Sequence, residues 1–232
     1  MANCFIIGGS SGIGKQLATQ LSETGWHVDA TYNKREIRSE VPSLCYHHLN
    51  VLDENILIDY LPDLVDGLVY CPGSITLKPF ERIKPSDFAN DFDLLLVGAV
   101  KVIQAVLPRL KKSTNASIVL FSTVAAQTGF NFHSQVAASK AAVEGFMRAL
   151  AAEFAPNIRV NCIAPSLTDT PLAATLLNTD QKKEANAQRH PLKRIGTTKD
   201  IANMAEFLLS EKASWVSGQV FHVDGGMSTL MV

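Results

Sequence analysis

The chain lacks what a polyanion-binding or membrane protein would need. Its 232 residues carry a formal net charge of −1, so no excess of basic side chains is available to hold nucleic acid or an anionic bilayer. No apolar run reaches the roughly 20 residues of a membrane-spanning helix. The N-terminus reads straight into a strand with no basic leader, so no signal peptide is expected. Cysteine is sparse: Cys4, Cys45, Cys71 and Cys162 are scattered without metal-motif spacing, and Cys4, Cys71 and Cys162 sit in strand-like runs. That pattern fits reduced, buried thiols and a cytoplasmic location, where the Asn115-Ala116-Ser117 sequon has no consequence. Repeats, low-complexity tracts and linkers are missing too, and residues 1–232 are expected to form one domain.

What is present is a core and an opening motif. Hydrophobic residues make up 47% of the chain, ample for a buried interior. Cys4 to Ile7 is a short apolar run of the length of a fully buried strand. Gly8, Gly12 and Gly14 follow, with Ser10, Ser11 and Ile13 between them, and the pattern turns helical from Lys15 to Leu21. A strand, a glycine turn and a helix N-terminus form an anion site, because backbone N–H groups and the positive helix end face a phosphate. A second strand, Trp26 to Tyr32, ends in Asn33, Lys34 and Arg35. A dinucleotide-binding unit selecting a free ribose places a carboxylate at that corner, but Asp29 lies about three residues too early. Two cations and an amide suit a 2′-phosphate, so the expected cofactor is NADP(H).

Further strands are expected at Cys45 to Leu49, Gly67 to Cys71, Ser117 to Thr123, Asn157 to Ile163 and Gln219 to Val223. His47 and His48 are adjacent in a strand, point to opposite faces and so are read as structural. Between the strands, Asp87 to Lys111 reads as one long helix apolar nearly all round, and Ser134 to Phe154 as a second, rich in alanine. Their apolar surface points to a subunit contact. Leu172 to Arg189 is a polar, lid-like helical segment, and Asp200 to Leu209 a last helix. Strands alternating with helices predict an α/β, doubly wound parallel sheet with helices on both faces, and ligands at the carboxyl ends of the strands.

The pieces Gly8-x-x-x-Gly12-Ile13-Gly14, Ala138-Ser139-Lys140, Ile158 to Pro165, Thr170-Pro171, Arg194-Ile195-Gly196 and Val223-Asp224-Gly225-Gly226 resemble the short-chain dehydrogenase/reductase family across nearly the whole chain. The resemblance implies a Rossmann-like fold, NAD(P)-dependent hydride chemistry on a small-molecule substrate, and a homo-oligomer, usually a tetramer and otherwise a dimer. It also implies an Asn-Ser-Tyr-Lys catalytic set, and here that set largely fails. Lys140 is kept, and in relatives it binds the nicotinamide ribose hydroxyls. Val136 stands where the proton-donating Tyr belongs, Thr123 replaces the serine, and Leu95 replaces the Asn. Tyr70-Cys71-Pro72-Gly73 keeps only Gly73 of an Asn-Asn-Ala-Gly stretch. Pro165-Ser166 replaces Pro-Gly, while Thr170, a nicotinamide contact in relatives, is kept. Asn50, with Val51 after it, stands where relatives place the Asp that holds the adenine, and Ile7 replaces a usual Thr.

Cofactor positions are thus largely retained while two groups of the proton relay are apolar. A positioned general acid contributes typically about 10²–10⁴-fold, so ordinary ketone reduction is not expected. His133, Val136 and Lys140 are spaced by three and four and share a helix face if the helix begins near 133. Enoyl reductases of this family carry their Tyr seven residues before the lysine, the position of His133, and a histidine donates a proton near neutral pH. Thr123, His133 and Lys140 are therefore the candidate functional groups. The leading reading is an NADP(H)-dependent oxidoreductase with a non-standard site. The alternatives are a conjugate (C=C) reductase using His133 and a non-catalytic dinucleotide-binding protein, acting as sensor or partner subunit.

Overall fold

In the computed structural model, which describes residues 1–231, seven parallel strands form one sheet. In chain order the elements are β1 (Asn3–Ile7), α1 (Gly12–Glu23), β2 (His27–Tyr32), β3 (Leu44–His48), β4 (Gly67–Tyr70), α2 (Pro85–Phe92), α3 (Gly98–Leu110), β5 (Ala116–Phe121), α4 (Ser134–Phe154), β6 (Ile158–Pro165), α5 (Asp180–Gln188), α6 (Thr198–Leu209) and β7 (Val220–Val223). The sheet order is β3-β2-β1-β4-β5-β6-β7. The order of successive strands reverses between β1 and β4, which opens a crevice at their carboxyl ends.

Alternation along each strand feeds two separate cores. Phe5, Ile7, Leu68, Ile118 and Leu120 point toward α3 and α4, where they meet Val102, Ile103, Val106, Val143 and Met147. Cys4, Ile6, Val28, Val69 and Val119 point the other way, onto Leu17 and Leu21 of α1 and Ile201, Ala205 and Leu208 of α6. Every residue of β4 and β5 is buried, as expected of strands covered on both faces. The doubly wound sheet predicted from the sequence is the observed fold. No helix among the described residues is long and apolar enough to cross a membrane.

Two expectations about the helices change. The single helix expected over 87–111 starts at Pro85, and Asp93–Val97 form a π-turn between α2 and α3. The lid-like segment is two pieces, a 3-10 turn at Pro171–Leu176 and α5, each capped by a threonine hydroxyl, Thr170 and Thr179. The apolar surface read as a subunit contact is also largely consumed inside the chain, since Leu95, Val102, Val106 and Met147 are buried. Outward, α4 presents Ala138, Ala141, Gly145, Ala149 and Ala152 beside the charged Arg148 and Glu153.

Candidate active site

The turn after β1 closes backbone against backbone. Gly8 and Gly12 adopt φ of +74° and +53°, the left-handed region that a side chain disfavours. A Cβ on Gly14 would overlap the carbonyl oxygen of Gly8, and one on Gly9 would lie 2.7 Å from Ala30 Cβ. The Gly8 N–H donates to Thr31 Oγ1 at 3.0 Å, tying the turn to β2. Ser11 is the N-cap of α1, yet its hydroxyl caps nothing, and the first turn holds no acid. The N-terminal N–H groups of α1 are thus left for an anion. These are the features of a dinucleotide cradle, and the residues fit one.

Around it the other cofactor candidates take distinct places. Asn33, Lys34 and Arg35 lie exposed just past β2, while Asp29 is buried 2.7 Å from His47 Nε2, away from that corner. Asn50 spends its amide within its own turn, donating to Asp53 Oδ1 (2.7 Å) and accepting from Leu52 N (3.2 Å). Val51 is buried against Gly98, so neither side chain of that pair is free for a ligand. Thr170 sits over Gly12, and a Cβ on Gly73 would reach 3.4 Å from Leu172 of the lid.

A cleft of about 310 Å³ opens beside the cradle, and Thr123, His133, Val136, Lys140, Pro165 and Thr170 all line it. Lys140 is buried, its Nζ donating to the Phe121 carbonyl at 2.9 Å. Burial lowers its pKa, opposed by the nearby Cys162, Cys71 and Asp91 groups. Val136 is 8% exposed and presents only methyl groups one turn earlier. His133 is the N-cap of α4, with Nδ1 2.7 Å from the Asn131 carbonyl and its ring beside Phe130. A carbonyl only accepts, so Nδ1 carries a proton and Nε2 is the free nitrogen. Thr123 Oγ1 accepts from Ala125 N at 3.3 Å, capping a short turn after β5.

The cleft also holds a pair that sequence spacing did not reveal. Ser166 Oγ lies 2.9 Å from His190 Nε2, and His190 Nδ1 lies 2.8 Å from the Asn186 carbonyl. The same tautomer argument leaves Nε2 to accept the Ser166 hydroxyl. Ser166 stood out only as a departure from Pro-Gly; nothing in the sequence around His190 signalled a partner 24 residues away. Two buried carboxylates brace the floor: Asp91 accepts from Ser74 Oγ (2.6 Å), and Glu144 accepts from Ser122 Oγ (2.7 Å) and Gln127 Nε2 (3.0 Å).

The comparisons agree with this architecture. A family model described as enoyl-(acyl carrier protein) reductase matches residues 8–228, from the glycine turn to beyond β7. The chain belongs to the short-chain dehydrogenase/reductase family. It is 33% identical over 239 residues to a 3-oxoacyl-(acyl-carrier-protein) reductase of Thermotoga maritima, covering 97% of this chain and 96% of that protein. A tropinone reductase homolog of Arabidopsis thaliana is 32% identical over 243 residues, covering 97% and 92%. Among solved structures, ElxO with NADP bound superposes with a TM-score of 0.87 at 25% identity, covering 99% of each chain. A short-chain type dehydrogenase/reductase from Mycobacterium ulcerans superposes with a TM-score of 0.84 at 26% identity, covering 98% and 90%.

The segment around Leu95, where the resemblance implies an Asn, packs against the end of β4. Leu95 is buried within the π-turn. The Tyr70 hydroxyl, at the end of β4, donates to the Leu94 carbonyl at 2.6 Å. Gly98 is what lets it in, because a Cβ there would overlap that hydroxyl. Tyr70, the Leu94 carbonyl and Gly98 are thus one packed unit. Tyr70→Phe should cost about 1 kcal/mol in urea denaturation, the worth of one hydrogen bond. Gly98→Ala should be less destabilising in the Tyr70→Phe background than in the parent, by at least about 0.5 kcal/mol. Strict additivity would contradict this coupling.

Proposed function

We propose that the protein is an NADP(H)-dependent oxidoreductase whose proton chemistry bypasses the usual family position. The carrying observation is Val136 in the cleft wall one turn before the buried Lys140. The candidate cofactor residues are Gly8, Ser10, Ser11, Gly12, Ile13 and Gly14 for the pyrophosphate, with Asn33, Lys34 and Arg35 for a 2′-phosphate. Asn50 and Val51, their side chains engaged by their own turn and by the core, border the adenine end through backbone alone. Gly73, Pro165, Thr170 and Lys140 frame the nicotinamide end. NADP bound to the related ElxO supports this reading. When bound, NADP(H) supplies or accepts the hydride.

The chain's own task is then to bind a small molecule and manage charge on its oxygen. Ile75, Leu77, Phe130, Leu172 and Leu176 give the cleft apolar walls that exclude water. Val136 cannot donate a proton, so a simple ketone finds no acid where its alkoxide would form. In conjugate reduction the hydride goes to carbon and negative charge develops on a more distant carbonyl oxygen. His133, seven residues and about two turns from Lys140, supports that second reading, as does the enoyl reductase description of the matching family model. As imidazolium it donates from Nε2 to that oxygen, with Nδ1 held by Asn131. The free cysteines support a reducing, cytoplasmic setting. The outward alanines of α4 permit close approach of a second copy, which supports a homotetramer or dimer; a single-chain mass in light scattering overturns that part.

Fluorescence titration should give tighter binding of NADPH than of NADH. Arg35→Ala should weaken NADPH roughly tenfold or more, by loss of a charge-assisted contact of about 1.5–3 kcal/mol, and leave NADH unchanged. Equal affinities in the parent would contradict the cofactor assignment. With NADPH, the parent should reduce an activated enone and His133→Ala should lose about 10²–10⁴-fold of that rate. An unchanged rate in His133→Ala excludes it as the donor.

A further inference from the structure

At the far edge of the sheet, four potential metal ligands share one face. β2 and β3 pair with Asp29 opposite Cys45 and Thr31 opposite His47. Side chains alternate along a strand, so His27 and Asp29 of β2 project to the same side as Cys45 and His47 of β3. One donor atom each from His27, Asp29 and Cys45 lies within 4.8 Å of the others. Sequence spacing hides this group, because Cys45 and His47 reach His27 and Asp29 only through the parallel register.

The geometry points to a metal site rather than a hydrogen-bonded knot. His27 Nε2 lies 3.4 Å from Asp29 Oδ2, longer than an ordinary N–H···O bond. Tetrahedral zinc with nitrogen and oxygen ligands at about 2.0–2.2 Å has ligand–ligand edges of about 3.3–3.6 Å. The other carboxylate oxygen is already engaged: His47 Nε2 sits 2.7 Å from Asp29 Oδ1. The His47 ring is itself fixed, stacked on Tyr60 at 3.8 Å between centroids and 10° between planes. A ligating carboxylate steadied through its second oxygen is the outer support that metal sites carry. Asp29 is buried, whereas His27 and Cys45 are partly exposed, so an ion has a route in from solvent.

We propose that His27, Asp29 and Cys45 bind a divalent ion of the zinc class, with His47 holding Asp29 in place and a water completing the coordination. The donor set selects the ion: imidazole and thiolate favour zinc or cobalt over magnesium or calcium, which want oxygen alone. One carboxylate and one thiolate balance the two positive charges. The Cys45 proton leaves to solvent as the sulfur–metal bond forms. The ion joins β3, a five-residue edge strand paired on one side only, to β2. The site is independent of the cleft and of any reading of its chemistry.

Cobalt is the probe. Protein freed of metal by chelation and titrated with Co²⁺ should bind one ion per chain, with a thiolate-to-cobalt charge-transfer band and the intense visible absorption of tetrahedral cobalt. Zn²⁺ should bleach both, and Mg²⁺ should not. Cys45→Ser should abolish the charge-transfer band, whereas Cys71→Ser should keep it. His27→Ala, at a partly exposed position that leaves the fold intact by circular dichroism, should weaken cobalt binding at least tenfold. Zinc should raise the melting temperature of the parent and not of Cys45→Ser. Absence of the charge-transfer band in the parent, or its survival in Cys45→Ser, overturns the proposal.

Discussion

Gly14 has no room for a side chain. The Gly8 carbonyl occupies the place a Cβ would take, so β1, its turn and α1 close backbone to backbone. That approach sets the start of α1 directly above the reversal point of the sheet. Four first-turn N–H groups then face the crevice between β1 and β4, and the turn is tied to β2 through Gly8 and Thr31. Everything else at the site is placed relative to this corner: Thr170 over Gly12, Gly73 under the lid, and Lys140 across the cleft. A side chain at residue 14 would push the helix off the strand and lose the anion site together with the packing of α1.

The cleft beside this corner is chemically lopsided. On the cofactor side stand unsatisfied N–H groups, exposed Lys34 and Arg35, and a buried ammonium. On the side where a carbonyl oxygen would be protonated stand Val136 and the packed Tyr70–Leu94–Gly98 unit. Losing a positioned acid is worth roughly 3–5 kcal/mol of barrier, more than any hydrogen bond visible in the cleft offsets. The remaining protic groups, Thr123, His133 and the Ser166–His190 pair, reach the cleft from other elements. The site thus has the means to bind a dinucleotide, and the proposed reading places its proton donor elsewhere than residue 136.

Much of this was legible in the chain itself, for identifiable reasons. Period-two burial and the glycine turn gave the strands and the sheet, because both are local. The face shared by His133, Val136 and Lys140 followed from helical spacing alone, and all three line the cleft. His47 and His48 do diverge, one onto Tyr60 and the other edge-on to Tyr32. The π-turn at Asp93–Val97 was not legible, since its apolar pattern matches that of an uninterrupted helix. The Ser166–His190 contact joins elements brought together only by the fold. Asp29 read as a misplaced ribose carboxylate, and two of its neighbours, Cys45 and His47, come from the adjacent strand. Asn50 and Val51 look like ligand contacts in one dimension and are occupied by their own turn and core in three.

The central claim is that NADPH binding survives while the usual proton donor is gone. It is tested most directly by titrating NADPH and then following its oxidation with a 3-oxoacyl substrate, in the parent and in Val136→Tyr. The account predicts equal NADPH affinity in the two proteins, oxidation by the parent no faster than background, and a measurable gain in Val136→Tyr. That gain should remain partial because Leu95 still replaces the relay Asn. Rapid 3-oxoacyl reduction by the parent, or loss of NADPH binding in both proteins, would contradict it.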